Sequence, residues 1–221
     1  MPRIAEGSGD LAMNACESPV PDGLADIEKD LIEAAARAYH RGIQTGSGGN
    51  LSARIPGKDL MVVKPSGISF IDCTEKNLVV TDFDGKVVAG SGKPSREALL
   101  HGVLYRNVPS IGGVVHTHSP WATSWSFSKQ DLPLVTHHAR MKFGVPVITV
   151  DIDAPVVPLV EMPRIISLFE KYPTLPAFLL VAHGIVAVGK NVLDAENVAE
   201  MVEETAQIAW LREIGKKVFA P

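Results

Sequence analysis

The chain has 221 residues, 46% hydrophobic and 21% charged, with a net charge of −4. That length supports one domain able to bury roughly 70% of its unfolded surface, and the composition excludes wholesale disorder. There is no basic run to attract nucleic acid or an anionic membrane, and no stretch of 18 apolar residues to form a membrane-spanning helix.

Residues 1–23 are rich in Gly, Pro, Ser, Asp and Glu and show no periodicity, which predicts a flexible tail ahead of a single domain over 24–221. The tail has no continuous apolar stretch of the kind a secretory signal carries. Cys16 falls in it and Cys73 is the only other cysteine, so a disulfide framework is not expected and a reducing, cytoplasmic setting is.

A helix is expected over 25–41, where Ile27, Leu31, Ala34, Ala35 and Ala38 recur at helical spacing and Gly42 follows as a C′ residue. Strands are expected over 51–54, 60–64 and 77–82, with Asp84-Gly85 as a hairpin turn. Pro94-Ser95 opens a predicted helix over 95–106, followed by a strand over 112–117. Ser119-Pro120 reads as a cap and first-turn pair for a short helix reaching 127. A strand over 145–150, a helix over 162–171 and strands over 177–182 and 185–188 come next. The last predicted helix covers 194–214 and ends at Gly215. On it Glu203 and Glu204 read as a solvated face, while Trp121, Trp125 and Trp210 read as packing residues. Helices and strands interleave, yet several connections are hairpin-short. The pattern predicts a three-layer αβα sandwich on a mixed, mostly antiparallel central sheet rather than a Rossmann sheet.

Four groups of residues can carry chemistry. His116 and His118 stand at i and i+2 of a predicted strand, so their imidazoles share a face and either converge on a metal or merely hydrogen-bond. His183 ends a run of buried aliphatics. Alone it is a core histidine; beside His116 and His118 it is the third nitrogen of an open metal site. Glu97 lies at the start of a predicted helix, where it complements the dipole or serves as a metal ligand and base. The loop 45–52, TGSGGNLS, lacks the lysine of a P-loop, but its backbone N–H groups can nest an anion, as can the turns Pro65-Ser66-Gly67 and Pro94-Ser95.

In order, the segments TGSGGNLS, KPSG, GKPSRE, GGVVHTHS and VAHGIVAVGK resemble the class II aldolase/adducin family, in its L-fuculose-1-phosphate aldolase and L-ribulose-5-phosphate 4-epimerase-like branch. The resemblance covers about 24–215. It implies an αβα fold, usually a homotetramer with active sites between subunits. It also implies one divalent ion per chain, most often zinc, with manganese, cobalt or magnesium as alternatives. His116, His118 and His183 would be its ligands, with Glu97 as a fourth ligand and proton shuttle. Gly49, Asn50, Ser66, Gly67 and Ser95 match positions that cradle the phosphate of a small-molecule substrate. The implied activity is carbon–carbon cleavage of a phosphorylated hydroxy-carbonyl compound through a metal-stabilised enediolate.

Three departures bear on the reaction. Arg96 replaces the second serine of the family's aldolases and can grip phosphate or carboxylate bidentately, a pattern that looks more like the family's oxo-sugar-acid phosphate decarboxylases. Arg140 stands where the epimerases carry a catalytic Asp, and no tyrosine follows Tyr172. If 136–140 is extended, His137 and His138 alternate faces, and His138 is the candidate substitute acid/base. Aldol cleavage therefore ranks first and decarboxylation second. Epimerisation ranks third, and a non-catalytic adducin-like module has no use for this histidine set.

Overall fold

The computed structural model describes residues 23–152 and 154–219. The predicted tail therefore lies outside the described residues except for Gly23. Six helices and eight strands follow one another among the described residues: α1 (Leu24–Arg41), β1 (Asn50–Arg54), β2 (Leu60–Val63), β3 (Val79–Asp82), β4 (Val87–Ala89), α2 (Ala98–Asn107), β5 (Gly113–Thr117), α3 (Pro120–Ser126), α4 (His137–Phe143), β6 (Ile148–Val150), α5 (Met162–Lys171), β7 (Ala177–Leu180), β8 (Gly184–Gly189) and α6 (Val192–Val218).

The strands form one sheet in the order β4-β3-β2-β1-β5-β8-β7-β6. Of its pairings only β6 with β7 is parallel. Alternation along the strands splits the core in two. Leu51, Val62, Val115, Leu179 and Ile185 face one layer with α1, α3, α4 and α6. Met61, Val63, Val114, Phe178 and Val186 face the other, with α2 and α5. The expected αβα sandwich is what the chain forms. No helix among the described residues is long and apolar enough to cross a membrane.

Gly42 ends α1 with φ 78°, its N–H reaching the carbonyls of Ala38 and Tyr39. The helix predicted from Ser95 begins at Ala98, because Ser95–Glu97 make a turn in which Ala98 N–H meets Ser95 O. Gly215 does not end α6; the helix runs on to Val218. The segment around His137 is not extended but forms the helix α4, begun by Thr136 Oγ1 accepting from Ala139 N–H and ended by Gly144 at φ 70°. The apolar run over 177–182 stops being strand at Leu180, where a tight turn leads into β8.

Glu203 is not solvated. It is buried on α6, and only Glu204 faces water. Glu196, two turns earlier on the same side of α6, is fully buried with both carboxylate oxygens lacking a hydrogen-bond partner among the described residues. Burial, and next the Glu200 carboxylate, push its pKa up to about 8. The unfolded chain loses that proton near pH 4.5 and the folded chain near 8, so this group's stabilisation falls as pH rises through that window. Glu196→Gln should therefore match the parent near pH 5 and exceed it at pH 9 by roughly 4 kcal/mol. Thermal melts at the two pH values check this, and an unchanged difference between them refutes it.

Candidate metal centre and active site

His116 lies near the end of β5. It is paired with Asn50 of β1 on one side and Val186 of β8 on the other, and points to the α2 face. His118 follows on the same face, one residue beyond the strand. His183 comes from the three-residue turn between β7 and β8, where its N–H meets Leu180 O and Ala182 is held at φ 56°. The His116 Nε2 is 3.2 Å from that of His183 and 3.1 Å from that of His118.

His116 Nδ1 is 2.8 Å from Ile185 O, so Nδ1 carries the proton and Nε2 presents a lone pair inward. Burial lowers the pKa of all three imidazoles, to about 3 for His116 and about 4 for His183, which keeps them neutral. Lone pairs this close repel unless something electrophilic sits between them. Nitrogens bound about 2.0–2.1 Å from one tetrahedral ion stand roughly 3.3–3.4 Å apart, so the donor set fits a divalent cation.

Glu97 adds the carboxylate. Its Oε2 is 3.3 Å from His116 Nε2 and accepts from Asn50 Nδ2 at 2.8 Å. Its Oε1 is 3.9 Å from His183 Nε2 and is buried with no hydrogen-bond partner among the described residues. Burial raises the Glu97 pKa, against the opposing pull of His183, the Asn50 bond, His118 and Arg96. A carboxyl whose protonated form is favoured in this way is suited to taking up and passing on a proton.

The centre opens into a cleft of about 160 Å³. Gly49, Asn50, Ser66, Gly67, Ser95 and Arg96, all singled out from the sequence, line it together with Glu97, His118 and His183. An isolated bridge between Pro65 and Pro94 sets the two Pro-Ser turns side by side, with Ser66 N–H donating to Lys93 O at 2.7 Å. A larger groove of about 490 Å³ opens at the opposite ends of β1, β5 and β8 and holds none of these residues. His138 is not brought to the cleft. It is exposed in the first turn of α4, as is His137, so strand alternation does not apply to them.

Two further residues were missed by motif reasoning. Lys64 lines the cleft and is almost fully buried, its ammonium donating to Pro65 O and Ile68 O and so holding the Ser66-Gly67 turn. Gln44 is buried ahead of the glycine-rich loop. Its Oε1 accepts the His118 N–H at 2.9 Å and its Nε2 donates to Thr45 O, which joins His118 to the loop. Lys64 stood inside the KPSG signature; no local pattern marks Gln44.

The Class II Aldolase and Adducin N-terminal domain matches residues 29–210. L-ribulose-5-phosphate 4-epimerase UlaF of Salmonella typhi is 38% identical over 195 residues, covering 85% of this chain and 86% of that protein. Among solved structures, an L-fuculose 1-phosphate aldolase superposes with a TM-score of 0.76 at 31% identity, over 86% of this chain and 87% of the other. YgbL of Escherichia coli, described as a putative aldolase/epimerase/decarboxylase, gives 0.71 at 31% identity, over 84% and 89%. The chain belongs to the class II aldolase and adducin family and is one of its superfamily's enzymes.

Proposed function

We propose that the chain is a metal-dependent carbon–carbon lyase that cleaves a small phosphorylated hydroxy-carbonyl compound. The observation that carries this reading is the free Oε1 of Glu97, buried beside three convergent imidazoles at the floor of a cleft lined by glycines, serines, Lys64 and Arg96. A divalent ion on His116, His118 and His183, zinc in this reading, would supply Lewis-acid stabilisation of the charge left on the substrate as the bond breaks.

The protein's own groups do the rest. Asn50 fixes Glu97 through Oε2, which leaves Oε1 to accept the substrate's hydroxyl proton. The loop at Gly49 and the Ser66-Gly67 and Ser95 turns present N–H and O–H donors to the phosphate, with Lys64 stiffening the second of them. His138, exposed on its own subunit, is left to act as acid/base in the cleft of a neighbour within a cytoplasmic homotetramer.

Arg96 favours a second reading, decarboxylation of an oxo-sugar-acid phosphate. It lines the cleft beside Glu97, where its guanidinium can hold a carboxylate. The likeness to YgbL, whose description includes decarboxylase, points the same way. The 38% identity to an epimerase supports epimerisation as a third. Incubation of the metal-loaded protein with a panel of sugar phosphates and oxo-acid phosphates separates them. Released aldehyde supports the aldolase, CO₂ the decarboxylase, and only an epimerised sugar phosphate would reject both lyases. Arg96→Ser should raise KM for the anionic substrate by about 10-fold or more; an unchanged KM makes Arg96 a surface residue.

A further inference from the structure

The mechanism above leaves two buried carboxylates of α6 unused, Glu196 and Glu203, and only Glu203 touches another helix's backbone. Glu203 sits on α6, on the far side of α3 from solvent, and its two oxygens accept the backbone N–H groups of Trp121 and Ala122 at 2.9 and 2.8 Å. These are the opening residues of α3, whose N-cap residue, Ser119, makes no capping bond of its own. Ser119 Oγ instead donates to Ile43 O at 3.0 Å. A carboxylate from a different helix thus satisfies two amides that would otherwise be buried without partners, through charge-assisted bonds.

α3 touches the metal ligands at both ends. His118 enters it two residues before Pro120. At the other end buried Ser126 donates its hydroxyl to Thr123 O at 2.7 Å and accepts the N–H of Ala182 at 3.0 Å. Ala182 is the residue before His183 and one of two non-glycine residues at positive φ among the described residues. A β-carbon there costs about 1–2 kcal/mol, so that turn needs an external restraint to stay in place.

We propose that Glu203 is a positioning residue for the metal centre. By fixing α3 it sets the relative placement of His118 and His183, which no strand pairing fixes directly. His116 has its own restraints, the β-ladder on both sides and the Ile185 carbonyl, and does not depend on this helix. The inference rests on the three-imidazole site proposed above.

The test is cobalt(II) titration of the full-length apo protein, followed by the visible d–d absorption bands and the dissociation constant. Glu203→Gln keeps the side chain's size but turns one acceptor into a donor facing an amide N–H. It should weaken Co(II) binding 10- to 100-fold, the usual range for groups that orient metal ligands, and should shift the bands. Ser126→Ala, which frees Ala182 N–H, should do the same to a smaller extent. Ile165→Val in the opposite core layer serves as the control for general destabilisation and should leave affinity and spectrum unchanged. Wild-type affinity and bands in Glu203→Gln overturn the inference and leave Glu203 a helix cap only. If Glu203→Gln does not fold, wild-type bands and affinity in Ser126→Ala overturn it instead. A parent protein that binds no Co(II) removes the metal centre itself, a failure distinct from either.

Discussion

His116→Ala should lose its divalent ion. The residue is the hub of the cluster, with the other two Nε2 atoms and a Glu97 oxygen all within 3.3 Å of its own Nε2. An open catalytic zinc site takes three protein ligands, and the variant would keep only His118, His183 and Glu97, whose Oε1 is 3.9 Å from the His183 Nε2. Affinity should fall by at least about 10³-fold, with activity falling to background, because each step proposed for Glu97 depends on charge stabilisation at the centre. The fold should survive, since Val114 and Val115 still pair with β1 and β8. Elemental analysis of dialysed protein, with circular dichroism as the folding control, checks the result. One ion per chain retained by the variant would refute the ligand assignment.

Gly49→Ala should be nearly as damaging, for a reason of shape. Gly49 holds φ 60°, and a β-carbon there would overlap Gln44 Oε1 and lie 2.7 Å from the His116 carbonyl oxygen. Left-handed backbone costs about 1–2 kcal/mol for alanine, and the backbone clash adds to it. Gln44 cannot yield freely, because the same Oε1 holds the His118 N–H. The loop must therefore open or the Gln44 bond must break, and either outcome disturbs the cleft loop and His118 together. A fall of about 100-fold in kcat/KM is expected. The melting temperature should drop by roughly 5–10 °C, as for about 2–3 kcal/mol in a domain of this size. Kinetics as in the parent would mean that the loop does not close over the substrate.

How much of this was legible beforehand depended on whether a signal was local. The HxH pair needed only strand alternation, and its two rings do share the α2 face. Glycines beside Asn50 marked a loop with exposed backbone N–H groups, and that loop lines the cleft. The αβα layering followed from the short connections and from apolar runs such as 177–180, buried on both faces. What failed was non-local or ambiguous in period. AFLLVA reads as strand throughout, but the last two residues are spent on the turn that presents His183. The helix α4 has its signals in Thr136 and Gly144, and the face alternation of His137 and His138 held only if the segment was extended. Glu203 lies next to the apolar stripe of Val202, Ala206 and Ala209, and a helical pattern cannot reveal that two amides of another helix end beneath it. Gln44 is a lone amide whose partner is 74 residues away.

The ligands are drawn from chain segments far apart, His116 and His183 being separated by 67 residues. A partly assembled chain offers no place for an ion, because the centre exists only once β5, β8 and the turn ahead of β8 have docked. Cation capture is then a closing event rather than a nucleating one. Bound to the native state alone, an ion held by these three imidazoles would act as a latch, lengthening the lifetime of the finished fold without hastening its formation.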